Sequence, residues 1–190
     1  MPHLRCTSCG VVSYAPVGGP GSCPECGVPW PQRPERVIQS ADPEQRLRAL
    51  VRMTRDLLDV DLALLTLIAG GREQVRLSAG GWPGVAVRPG DSVPLRDTFC
   101  RLMLEGRIGN VVRDASTEKA VADVALVRRL GARAYLGVPI RPADAELYVL
   151  CCLAREARPS FGTREVRLLS GLAESVSAEL QATRSPASAL

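Results

Sequence analysis

Histidine and lysine are nearly missing from this sequence: His3 and Lys119 are the only ones among 190 residues. Aromatic residues amount to 4%. No apolar run reaches the roughly 20 residues of a membrane-spanning helix, and the first residues show no secretory signal pattern. The expectation is a soluble, cytoplasmic chain without a membrane association. With imidazole confined to position 3, the rest of the chain lacks the usual partner of a nucleophilic cysteine and any histidine ligand for a haem. Arginine carries the cationic charge, which is read as codon bias of a GC-rich genome rather than as a binding surface. The formal net charge is +4. That is no general case for nucleic acid.

Hydrophobic residues make up 46% of the chain and charged residues 23%, which are globular values. The length fits one ordinary domain plus a small appendage. The appendage is residues 1–27. Cys6 and Cys9 form one C-x-x-C knuckle and Cys23 and Cys26 another, each followed by glycine, with 13 residues between them. Two such knuckles can place four thiolates in a tetrahedron suited to zinc. Two disulfides would need an oxidising compartment. A redox C-x-x-C would need only one pair. The reading is therefore a zinc ribbon holding one structural Zn2+, whose binding supplies the folding energy of a segment too short for a core. Arg5 is the only strongly basic residue before the second knuckle closes, so the ribbon is expected to stabilise or to dock protein rather than to grip DNA. Residues 28–42 carry three prolines and read as a linker. Residues 184–190 read as a loose tail.

The remainder, 43–183, alternates helix and strand patterns. Residues 44–58 repeat Leu47, Leu50, Val51, Thr54, Leu57 and Leu58 at helical spacing, with Ser40 or Asp42 as cap and Pro43 at the first position. Residues 62–69 form an apolar strand, Gly70 and Gly71 a tight turn, and residues 72–79 an alternating, half-exposed strand. Further strands are expected at 85–93 and 108–112. Further helices are expected after Asp97, over 119–130, and from a Thr163 cap to about Thr183. The centre is a hairpin over 132–155. Its first arm alternates, with Ala134, Leu136, Val138 and Ile140 on one face. Its second arm, 147–154, is apolar throughout and should be covered on both faces. The short turn between them permits only antiparallel pairing, and Pro139 calls for a bulge or a free edge. The fold class is α+β: helices against a central antiparallel sheet, preceded by the ribbon.

The segments YLGVPI at 135–140, LYVLCC at 147–152 and RPSF at 158–161 resemble the second half of a GAF domain. DTFC at 97–100 and VRDA at 112–115 are similar to two more segments of that family, and Val149 stands where many members carry glycine. The resemblance spans about 43–183. It implies a sensory or regulatory domain that binds a small molecule or a partner protein. The residues it brings forward for a pocket are Phe99, Cys100, Arg113, Asp114 and Tyr135. The resemblance puts Asp114 near the ligand side of the sheet, while its plain reading is a turn-forming aspartate. The cysteine–histidine pair of bilin-binding relatives and the signature of cyclic-nucleotide relatives are not recognisable here.

No convergent acid–base set is visible, so the chain is read as non-catalytic. Cys151 and Cys152 lie in the most apolar strand, where cysteine packs as a small hydrophobe, and as neighbours they point to opposite faces. Cys100, near a helix N-terminus that would lower its pKa, is the most plausible reactive thiol. No output segment is recognisable, so a signal would pass to a partner protein. Two other readings stay open: a nucleic-acid-associated regulator working through the ribbon, and a cysteine-based redox sensor or reductase. A homodimer is expected through the terminal helices, with Val166, Leu169, Ala173, Val176 and Leu180 of the last helix, Leu168 and Leu172 as a second stripe beside them, and Leu47, Leu50, Thr54 and Leu57 of the first in the same rhythm.

The ribbon makes the first testable prediction. Replacing Cys6→Ser together with Cys23→Ser should lower the zinc content of the purified chain by one equivalent, measured by elemental analysis. An unchanged content would exclude the four-cysteine site.

Overall fold

The structure is a computed structural model that describes residues 3–5, 12–14, 42–122, 124–142 and 146–183. The cysteines read as zinc ligands, Cys6, Cys9, Cys23 and Cys26, the linker up to residue 41, most of the hairpin turn and the tail lie outside the described residues. The chain divides into two compact units, 1–40 and 41–190. In the first, β1 (His3–Arg5) pairs antiparallel with β2 (Val12–Tyr14).

The second unit starts at α1 (Pro43–Leu58). The Asp42 carboxylate accepts from the Glu44 N–H at 3.0 Å, and proline takes the first turn, where no N–H is needed. β3 (Leu62–Ala69) and β4 (Arg72–Gly80) follow, joined by Gly70 and Gly71 at φ 56° and 71°. Two left-handed residues in succession make the tight hairpin turn that glycine allows. Then come β5 (Ser92–Pro94), α2 (Phe99–Leu104), β6 (Val111–Val112), α3 (Ala125–Leu130), β7 (Ala134–Ile140), β8 (Leu147–Ala154) and α4 (Thr163–Ala182). The sheet has six antiparallel strands in the order β5-β4-β3-β8-β7-β6. No described helix is long and apolar enough to cross a membrane.

β8 is buried from Tyr148 to Ala154, and its neighbours β3 and β7 flank it along its length. Its even and odd residues serve different cores. Leu150 and Cys152 face α1 and α4, together with Ala63, Leu65, Leu136 and Leu169. Val149, Cys151 and Leu153 face α2 and the segments before β7, together with Leu62, Phe99, Leu102 and Tyr135. The sheet is therefore covered on both sides. β7 does alternate as expected, but its second face is covered along most of its length: Tyr135 and Gly137 are buried and only Pro139 is exposed. Pro139 pairs with Val149 without a bulge. The Gly137 N–H donates to Asn110, so two residues on Pro139 turns its missing N–H to the same edge, past the end of β6.

Several boundaries differ from the sequence reading. The strand expected at 85–93 shrinks to Ser92–Pro94 plus a lone Trp82–Val85 bridge, because Gly84 and Gly90 take positive φ and break the extension. Only Val111–Val112 remains of the strand at 108–112. Asp97 falls in a 3-10 turn, Leu95–Asp97, and Thr98 caps α2 instead. The helix at 119–130 splits into a 3-10 turn, Lys119–Val121, and α3, around an extended Val124. β-branched Val121, Val124 and Val127 weaken helix propensity along that run. Gly162, not Thr163, precedes α4, with the Glu165 carboxylate accepting its N–H at 2.9 Å.

The last helix uses its stripe within the chain. Leu169, Leu172, Ala173, Val176 and Leu180 are buried and Val166 is partly buried, packed with α1 and the sheet. Among the described residues, Leu57 and Leu168 are the large apolar ones left exposed, at 55% and 39%. Accordingly Leu169→Ala should lower the unfolding free energy by about 2–5 kcal/mol, through lost burial and a cavity. Leu168→Ala should stay within about 0.5 kcal/mol. Urea titrations of the two variants test this, and equal losses would contradict the packing described.

Candidate functional site

The second core contains a polar centre. It depends on an irregularity in β4. Leu65 is opposite Leu77 but Thr66 is opposite Val75, so Arg76 is an extra residue in the ladder. A bulge inverts the side-chain phase beyond it. Leu77 and Ala79 therefore face the α1/α4 core, while Val75 joins the core on the other face. Glu73, two residues further along, follows Val75 and is buried at 5% exposure.

Around Glu73 three elements converge. Cys100, in the first turn of α2, donates its S–H to Glu73 Oε1 at 3.2 Å. The Tyr135 hydroxyl, from β7, donates to the Cys100 sulfur at 3.5 Å. Cys151 of β8 is close enough that Glu73, Cys100 and Cys151 hold their ligating atoms within 4.8 Å of one another, all three buried. The Tyr135 ring stacks on Phe99 with centroids 4.9 Å apart and planes at 10°. It folds back over Gly137, where a Cβ would run into its hydroxyl, so glycine is required at 137 for this tyrosine position.

Burial pushes the Glu73 carboxyl up, against the opposing effects of Cys100, Thr98 and Thr66. The Thr98 hydroxyl donates to the Leu95 carbonyl at 2.9 Å and the Thr66 hydroxyl to the Val149 carbonyl at 3.4 Å. Glu73 Oε2 is left buried without a hydrogen-bond partner. Such a group costs about 1–3 kcal/mol. The Cys100 thiol is raised well above its ordinary value, first by its contact with Cys151 and then by burial. This corrects the expectation that the α2 N-terminus would lower it. α2 has only six residues, and the contact with Cys151 together with desolvation outweighs its weak dipole. Burial likewise raises Tyr135 and, on the opposite face of the sheet, Cys152.

Glu73 also lines a pocket of about 410 Å³. Leu64 and Thr66 of β3, Val75 of β4 and Leu153 of β8 form its floor. Val85 and Val87 from the β4–β5 connection, with Arg129 and Leu130 of α3, form its walls. The Trp82 indole N–H donates to the Leu130 carbonyl at 3.1 Å, tying that connection to the end of α3. Asp91 and Gly90 exchange backbone hydrogen bonds with Val75 at 2.8 Å, fixing its other end. The walls are mostly apolar, with Glu73, Asp91, Arg129, Thr66 and Ser92 as polar points.

Of the residues named from sequence, the structure brings Phe99, Cys100 and Tyr135 together at the Glu73 centre, and none of the three lines the pocket itself. Arg113 and Asp114 lie elsewhere. Arg113 Nε donates to the Phe161 carbonyl at 2.6 Å, tying the end of β6 to the approach of α4. Asp114 closes a turn by accepting from the Ser116 N–H at 3.0 Å and pairs with Arg133 at 2.6 Å. Its plain, turn-forming role is the one the geometry shows. Glu73, Thr66, Cys151 and Arg129 are the polar residues that the reading by resemblance did not bring forward.

A family model described as GAF domain matches residues 42–180. Among solved structures, the phycocyanobilin-bound GAF domain of a cyanobacterial phytochrome is similar at 17% identity and a TM-score of 0.61, covering 77% of this chain and 88% of that one. The GAF domain of an Acinetobacter phosphoenolpyruvate-protein phosphotransferase is similar at 18% identity and a TM-score of 0.60, covering 80% and 90%. The photosensory core module of a Stigmatella aurantiaca phytochrome matches at 14% identity and a TM-score of 0.58, covering 78% of this chain and 34% of that one. At these identities the likeness concerns the fold. No curated protein matches the chain.

The Asp114 turn predicts a pH effect. The Arg133 guanidinium, with help from Ser116, lowers the Asp114 carboxyl from 3.8 to about 2. A carboxyl lowered by folding stabilises the fold above its unfolded value, and that contribution is lost as pH falls from near 3.8 through about 2. Carbon NMR should place the Asp114 midpoint near 2, and Arg133→Gln should move it back toward 3.8. A midpoint unaffected by Arg133→Gln would refute the pairing.

Proposed function

This chain belongs to the GAF domain family, and we propose that it is a sensory regulator without turnover of its own, binding a small molecule in the pocket above Glu73. GAF domains are sensory, ligand-binding regulatory domains. The observation that carries the reading is the buried Glu73 Oε2, unpartnered at the edge of a pocket of about 410 Å³. That volume lies within the range of small-molecule sites, and its apolar walls with few polar groups suit one. The ligand chemistry that fits is a compact apolar body with one hydrogen-bond donor for Glu73 and an acceptor for Arg129. The buried, raised Cys100 thiol supports a non-catalytic reading, since a nucleophilic cysteine must reach its thiolate.

Two further parts belong to this proposal. The ribbon of Cys6, Cys9, Cys23 and Cys26 holds one zinc as a stabilising or protein-docking module, and a partner protein takes up the signal. Two copies pair through the faces of α1 and α4 that carry Leu57 and Leu168, which flank one shallow groove with Arg158 and Arg164. Light scattering should give a dimer mass that Leu57→Glu with Leu168→Glu reduces to that of a monomer. A dimer indifferent to both charges would remove this face from the proposal.

The ligand is tested directly. Native mass spectrometry of gently purified protein should show a retained small molecule. Val87→Trp, which fills the pocket from its wall, should abolish retention while leaving the circular dichroism unchanged. A ligand retained equally by Val87→Trp would place binding elsewhere. A chain that carries nothing, and whose melting temperature no compound of a metabolite panel shifts, would overturn the reading.

A further inference from the structure

We infer that Glu73, Cys100 and Cys151 form a buried binding site for one thiophilic divalent metal ion, distinct from the N-terminal cysteine set. The three donors come from β4, α2 and β8 and meet on one face of the sheet. Two devices bring them there: the bulge at Arg76, which turns Glu73 away from the Leu77 face, and strand alternation, which sends Cys151 to this face and Cys152 to the other.

The spacing suits a small tetrahedral ion. Zinc–sulfur bonds of about 2.3 Å and zinc–oxygen bonds of about 2.0–2.2 Å set neighbouring donors roughly 3.5–3.8 Å apart. Cys100 Sγ and Glu73 Oε1 are 3.2 Å apart, and all three donor atoms fall within 4.8 Å of one another. An ion between them needs only small side-chain adjustments. It also resolves what the protein groups leave open. Glu73 is a buried acid whose Oε2 has no partner, and no described arginine or lysine forms an ion pair with it. A carboxylate and two thiolates around a divalent ion sum to −1, so the ion balances most of the charge it induces. On loading, any protons on the carboxyl and the two thiols leave to solvent as the metal bonds form.

The surroundings supply the outer hydrogen bond that such sites use. The Tyr135 hydroxyl donates to the Cys100 sulfur, and Tyr135 is itself held by Phe99 and by the room above Gly137. Two sulfur donors disfavour magnesium and calcium, and the carboxylate shifts the preference from copper(I) toward zinc. Three protein ligands leave a fourth position. Glu73 lines the pocket and gives the ion an entry path, so that position can face the pocket, as in open rather than closed zinc sites.

The test counts metal in the full chain, kept in reductant so that no disulfide intervenes. Protein is loaded with zinc, freed of excess by gel filtration and assayed by elemental analysis. With Cys6→Ser and Cys23→Ser in place, one equivalent should remain, and adding either Glu73→Gln or Cys151→Ala should remove it. In the otherwise native chain, Cys151→Ala should remove one equivalent, which keeps the test decisive if the N-terminal double variant does not fold. Cobalt in place of zinc should give a sulfur-to-metal absorption band that Cys151→Ala weakens. Tyr135→Phe should reduce zinc affinity by about 10–100-fold. Cys151 does not line the pocket, so metal loss there with unchanged small-molecule retention separates this site from the pocket reading. Folded variants that keep their zinc after both Glu73→Gln and Cys151→Ala, or a native chain whose content ignores Cys151→Ala, would overturn the inference.

Discussion

Burial of β8 on both faces is the constraint from which the rest of the unit follows. A strand without a polar face must be covered twice, and an antiparallel sheet covered on one side only would leave half of Val149–Ala154 in water. α1 and α4 supply one cover and α2 with its flanking turns the other. The two covers differ in kind. The first consists of long helices with regular aliphatic stripes. The second consists of short helices, 3-10 turns and connections, which leave gaps between their side chains. Stability can rest on the first core, and a pocket can form in the second without disturbing it.

The second core carries a deliberate cost. A carboxyl with one orphan oxygen, two thiols and a phenol sit where aliphatic side chains would pack more stably. Polar groups of this kind in a dry interior need partners, and the protein supplies too few. Desolvation drives Glu73 and Tyr135, and contact with Cys151 followed by desolvation drives Cys100, in one direction, toward their neutral forms. The arrangement is therefore poised: anything that offers Glu73 a proton donor or a positive charge recovers free energy that folding leaves unrealised. That property links the pocket and the proposed metal site through one side chain.

Much of the frame was legible. Gly70 and Gly71, Asp42 with Pro43, and the unbroken apolar run at Leu147–Ala154 each carry a local signal with a direct physical meaning, and the corresponding elements stand where they were read. Local signals failed where two residues could serve equally. Asp97 and Thr98 are both good caps, and only the register of α2 decides for Thr98. The connection from Gly81 to Asp91 has no periodicity to read, yet it builds a pocket wall.

The site was hidden for a sharper reason. In strict alternation Glu73 shares a face with Leu77 and Ala79, where an acidic residue looks like a stray at a strand end. The bulge at Arg76 changes the face, and nothing in the residues themselves announces it. Cys100 and Cys151 are distant in sequence, and no short motif joins them. Their meeting is a consequence of topology: β8 next to β7, β7 under α2, and a tyrosine lying over Gly137. Resemblance found the part of this centre that belongs to recognisable segments, namely Phe99, Cys100 and Tyr135. It also brought forward Arg113 and Asp114, whose side chains fasten the α4 approach and a surface turn. A segment can thus be kept for the turn it makes as readily as for the ligand it meets, and only the direction of each side chain separates the two.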